Sequence, residues 1–167
     1  MAIWTKPIST EILTTTHIAT AAERLGIEFI EIGPDFIRGR IPVDERTTQP
    51  YGVIHGGSSV MLAETLGSCG ADYSTPIGYR IVGLDINANH IRPVKQGLVI
   101  ATARPEALGR TTQVWSIRIV DEQDRVLPHG KSGEIVAIKK MKKKYFKWNA
   151  CIEQKEIESL IKLSHPN

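Results

Sequence analysis

The 167-residue sequence predicts one α+β domain, in which an antiparallel sheet of five or six strands curls around a single long helix. Three observations lead there. Residues 56–71, GGSSVMLAETLGSCGA, are apolar or small on nearly every side for about four helical turns, so this helix belongs inside the structure. Upstream, apolar and polar residues alternate on either side of Gly33-Pro34-Asp35, as in a hairpin with one buried face. Downstream come β-rich runs joined by short breaks rather than by helices, which favours antiparallel neighbours over a doubly wound parallel sheet.

In chain order, Ser9 to Leu25 reads as two short helices, with Thr16 as an N-cap, Ala19, Ala21, Ala22 and Leu25 as helix formers and Gly26 as the stop. Ile27 to Ile32 and Phe36 to Ile41 form the hairpin, and residues 42–54 are loop. After the central helix, residues 79–91, 98–107, 111–120 and 125–138 read as a meander of four strands, the last shortened or bulged by Pro128, Gly130 and Gly133. No repeat or Gly/Ser-rich linker interrupts the chain before Ile138, so residues 1–138 are read as the domain. Residues 139–167 are a basic C-terminal extension, in which Asn149 caps a short helix through Leu163 with Ile157, Leu160 and Ile161 on one face.

The charge divides the chain at the same place. The formal +3 comes from 13 basic and 15 acidic residues up to Ala137, followed by eight Lys and three Glu from Ile138 onward. A mildly acidic body is not expected to bind nucleic acid. The run from Lys139 to Trp148, with Tyr145 and Phe146, could attract a polyanion, although a solvated tail is the plainer reading. No apolar run is long enough to span a membrane, and the N-terminus lacks the apolar centre of an export signal, so a cytoplasmic protein is expected. Cys69 and Cys151 read as free thiols, and His17, His55, His90, His129 and His165 are too scattered for a metal site. The phosphate-binding glycine motifs and the G-x-S-x-G elbow are absent.

Chemistry converges on the central helix. Glu64 is the one charged residue between His55 and Asp72, and a carboxylate in so apolar a helix carries a desolvation cost unless it has a partner or a task. His55-Gly56-Gly57 opens the helix, where backbone N–H groups and the helix dipole suit a developing oxyanion. Gln49 offers an uncharged amide just upstream, and Ser68 lies one turn beyond Glu64 on the same face. Each residue alone has a plainer reading: an exposed Glu, a tight turn, a loop amide, a packing serine. Together they place an amide, an imidazole, free N–H groups and a carboxylate around one helix.

The stretch from Gln49 to Ser68, QPYGVIHGGSSVMLAETLGS, resembles the active-site loop and helix of the PaaI-type hotdog-fold thioesterases. Within them it is most similar to the branch of the bacterial 1,4-dihydroxy-2-naphthoyl-CoA hydrolases and the enterobactin-pathway proofreading thioesterases. Residues 82–90 and 108–115 resemble that branch too, and the likeness runs from about Ile12 to Ile138. It implies a hotdog fold and a homodimer or dimer of dimers with active sites at the subunit interface. It also implies an aromatic acyl-CoA substrate, no cofactor beyond the substrate's own CoA, and a place in menaquinone biosynthesis.

By the same resemblance Glu64 is the catalytic carboxylate, as nucleophile or as the base that activates water. Gln49 and His55 flank the thioester, the Gly56 N–H donates to its carbonyl oxygen, and Ser68 helps place the attacking water. Gly83, the segment His90, Ile91, Arg92 and Pro93, and the segment Ala107, Leu108, Gly109, Arg110, Thr111 and Thr112 line the acyl and CoA sites. Arg92 and Arg110 would lie near CoA phosphates or the pantetheine end. Two alternatives stay open: a housekeeping thioesterase for aliphatic acyl-CoA or misacylated carrier protein, and a non-catalytic acyl-CoA-binding dimer. The likeness does not extend to residues 139–167.

Overall fold

A computed structural model describes residues 1–90 and 92–125, and the backbone of 138–140. Its elements in chain order are α1 (Thr10–Thr16), α2 (Ala21–Arg24), β1 (Glu28–Ile32), β2 (Ile37–Pro42), α3 (Gly56–Tyr73), β3 (Gly83–Ile86), β4 (Leu98–Leu108), β5 (Gln113–Asp121) and β6 (Ile138–Lys140). The strands make one antiparallel sheet in the order β1-β2-β4-β5-β6-β3, curled around α3.

Strict alternation builds the concave face. Ile37 and Ile41 of β2, Val99, Ala101 and Ala103 of β4, and Trp115 and Ile117 of β5 are fully buried, opposite Leu62 and Leu66 of α3. Complete burial of each large apolar side chain is worth about 1.5–3 kcal/mol. The helix lies close to the sheet where side chains vanish: a Cβ on Gly70 would stand 2.6 Å from the Trp115 ring.

Two expectations are corrected. Thr16 is the last residue of α1 rather than an N-cap, and its hydroxyl donates back to Leu13 O at 2.9 Å. Ser9 caps α1 by accepting from the Ile12 N–H, and Thr20 precedes α2. Nor do the last four strands form a meander. β3 is only Gly83–Ile86 and pairs with β6 at the sheet edge, while β4 pairs with β2 and β5. The physical reason is the connection from β3 to β4, which is not the short break at 93–97 but all of residues 87–97, too long for a hairpin. That connection crosses the start of α3, where the Ile54 N–H donates to Val94 O at 2.8 Å. β6 carries the sheet to Lys140. The Pro128 region, Cys151 and the proposed helix after Asn149 lie outside the described residues.

Candidate active site

The start of α3 is clamped by the loop before it. Buried Thr47 presents its carbonyl to both the His55 N–H (2.8 Å) and the Ser58 hydroxyl (3.1 Å), which holds the loop against the first helical turn. His55 is the N-cap: its Nδ1 accepts from the Gly57 N–H at 2.8 Å, so the proton of the neutral ring sits on Nε2. His90 reaches in from the β3–β4 connection and donates from Nε2 to Gly56 O at 3.1 Å. Of the two glycine N–H groups expected to be free, Gly57's is therefore taken. No bond to the Gly56 N–H is found among the described residues.

Gln49 belongs to the same loop, which closes through the Thr48–Ile54 bridge. Its Oε1 accepts from the Tyr51 N–H at 3.0 Å, so the amide braces its own turn and keeps its two donor hydrogens available.

Glu64 is half-buried in the middle of α3, and its Oε1 accepts from the Ser68 hydroxyl at 3.1 Å. Both side chains open into a cavity of about 520 Å³ roofed by the ends of α1 and α2 through Thr16, His17 and Thr20 and walled by Met61, Tyr73 and Ile81. The resemblance had not singled out this roof. Its contacts with α3 span some fifty residues of sequence, as Cys69 to His17 illustrates. The one available signal was the all-round apolarity of α3, which needs cover on the side away from the sheet.

His17 donates from Nδ1 to Leu13 O (2.7 Å), leaving Nε2 to accept the Cys69 S–H (3.7 Å), and its ring lies 5.0 Å from that of Phe29. Burial, and secondarily the Asp72 charge, push the Cys69 thiol up to about 12, so it stays protonated. Among the described residues no group of three His, Cys, Asp or Glu could hold a metal ion.

The site residues named above fall into two sets at opposite ends of α3. Gln49, His55, Gly56, His90, Arg92 and Pro93 gather at its N-terminus, with Glu64, Ser68 and Gly83 farther along; Ile91 lies outside the described residues. Ala107 and Leu108 end β4, and Gly109 to Thr112 form the turn into β5; all six are exposed. Just after that turn, buried Gln113 bonds to the Ser74 and Thr75 hydroxyls beyond the C-terminal end of α3. Gly56 and Glu64 are themselves eight residues apart, about 12 Å along the axis at 1.5 Å per residue. A single thioester carbonyl cannot touch both on one helix.

A capped helix start with one open N–H, a half-buried carboxylate in a cavity, and a sheet curled around the helix carrying them are features of a known class. Residues 51–128 match the thioesterase superfamily, and the chain belongs to that hotdog-fold family as a thioester hydrolase. Among its relatives, the proofreading thioesterase EntH of Cronobacter turicensis is 46% identical over 123 residues, 74% of this chain and 90% of that protein. The 1,4-dihydroxy-2-naphthoyl-CoA hydrolase of Escherichia coli is 42% identical over 124 residues, 74% of this chain and 91% of that protein. The crystal structure of a Haemophilus influenzae thioesterase superposes with a TM-score of 0.75 at 40% identity, covering 87% of this chain and 98% of that one.

Proposed function

We propose that the protein hydrolyses an aromatic acyl-CoA of the 1,4-dihydroxy-2-naphthoyl type to the free acid and CoA. It does so in the cytoplasm, without a cofactor, as a homo-oligomer whose active sites lie between protomers. The observation that carries this reading is Glu64: a half-buried carboxylate, held by Ser68, on the wall of a cavity within the size range of small-molecule sites. The relative named for naphthoyl-CoA hydrolysis supports the acyl class, and the one named a proofreading thioesterase supports thioester hydrolysis.

The separation of Gly56 from Glu64 supports the two-protomer site. An antiparallel pair of α3 helices brings the N-terminus of one beside Glu64 of the other, so one protomer supplies the open N–H and the other the carboxylate. The N–H polarises the thioester carbonyl and gains strength as charge develops on oxygen. Glu64 then adds to the carbonyl carbon or takes a proton from attacking water, and the thiolate leaves with little acid assistance. The same arrangement brings the Ala107–Thr112 segment of one protomer, the end of β4 and the turn after it, toward the helix start of the other, with exposed Arg92 and Arg110 available to CoA phosphates.

Thiol release measured over a panel of aromatic and aliphatic acyl-CoAs and acyl carrier proteins tests the substrate. The highest kcat/KM is expected for the hydroxynaphthoyl or hydroxybenzoyl thioester, and a clear preference for aliphatic acyl groups would overturn that choice. Glu64→Ala and Glu64→Gln should retain the fold and lose about 10²- to 10⁴-fold in kcat. In single-turnover hydrolysis in ¹⁸O-labelled water, label in the Glu64 carboxylate identifies direct attack through a mixed anhydride opened at the Glu64 carbonyl.

A further inference from the structure

We infer that Gly83 is a positioning residue for Glu64, its missing side chain being what lets the carboxylate lie against β3 in the orientation Ser68 holds. The inference rests on the reading of Glu64 as the catalytic carboxylate. A Cβ built on Gly83 would stand 2.5 Å from Glu64 Oε1, 3.3 Å from its Cδ and 3.5 Å from Oε2. All three nearest atoms belong to the one side chain. The Gly83 φ lies outside the left-handed region, so the backbone itself does not require glycine there.

Its chain neighbours, Val82 just before β3 and Leu84 within it, are both exposed. Glycine is thus required by the approach of Glu64 rather than by the turn of the chain. Moving the first contact from 2.5 Å to the ordinary 3.4 Å displaces the carboxylate by about 1 Å. The oxygen that must move is Oε1, the one that accepts from Ser68. β3 itself is fixed by pairing with β6, in which Gly83 stands opposite Lys140, so the flexible carboxylate yields rather than the strand.

The test is a mutant cycle in the full chain. Gly83→Ala should fold with unchanged melting temperature, lose about 10- to 100-fold in kcat and keep KM near the wild-type value. In a Glu64→Asp background the same substitution should cost at most about threefold, because the shorter side chain clears the new Cβ. Three results would overturn the inference: full kcat in Gly83→Ala, an equal loss in the Glu64→Asp background, or a raised KM with kcat intact, which would make Gly83 only a substrate contact. Glu64→Ala tests the underlying reading separately. If Glu64→Ala is inactive and Gly83→Ala is not impaired, the positioning role fails and the role of Glu64 stands. Full activity of Glu64→Ala removes the role of Glu64 itself.

Discussion

Among the described residues the one hydrogen bond found to the Glu64 carboxylate comes from the Ser68 hydroxyl, which donates to Oε1 at 3.1 Å. Ser68→Ala removes a hydrogen bond to a charged group and should lower kcat by about 10- to 100-fold with little change in melting temperature, measured by thiol release. Cys69 has a different consequence. Its thiol titrates near 12 when folded against an ordinary 9.0, so the folded protein keeps a proton that the unfolded chain gives up between those values. Stability is unaffected below pH 9 and falls as pH rises from 9 toward 12. Melting curves of wild type and Cys69→Ala should therefore hold a constant gap at neutral pH and shift in favour of the variant above pH 9. At this scale the sequence was informative for Glu64, because a lone charge in an apolar helix stands out. It was silent on His17, whose place beside Cys69 depends on where the end of α1 falls against α3.

The start of α3 joins stability to chemistry, because the exposed imidazole that caps the helix stands beside the open Gly56 N–H. His55→Ala leaves the Gly57 N–H without its cap and should cost about 1 kcal/mol in denaturant unfolding. His55→Asn restores a capping oxygen and should recover the stability; if activity stays low in that variant, the imidazole has a chemical role beyond capping. Packing at the other end is tighter. Gly70→Ala drives a methyl toward the rigid Trp115 ring and should destabilise by about 1–3 kcal/mol.

Helix, hairpin and strands were legible as elements because their periodicities are local. Their pairing was not: the apolar stretch around β3 fits a meander as well as an edge strand, and only the path of residues 87–97 over the helix start decides between them. Gln113 was equally hidden. A fully buried glutamine between Thr112 and Val114 looks like any polar strand residue until Trp115, Ser74 and Thr75 are seen to satisfy it.

At the scale of the whole molecule, β3 is the end of the sheet, and Val82 and Leu84 are 52% and 47% exposed there. An apolar open edge is a template for a second copy. If protomers join along it, Leu84→Lys should shift sedimentation toward the monomer and abolish turnover together. The resemblance implied an interface site, and the 1.5 Å rise of the helix, which sets Gly56 and Glu64 about 12 Å apart, is the observation the proposed two-protomer site rests on.

Complementation tests that claim most directly. Gly56→Pro deletes the open N–H at the first helical position, where proline is tolerated, and His55 at φ −71°, ψ 133° already has the backbone that precedes a proline. Alone, Gly56→Pro should lose about 10²- to 10³-fold in kcat and Glu64→Ala about 10²- to 10⁴-fold. Co-expressed so that mixed oligomers form, as verified by native mass spectrometry, the two should regain activity, because each mixed pair contains one site with an intact Gly56 from one protomer and Glu64 from the other. Mixed oligomers as inactive as either parent would contradict the two-protomer site.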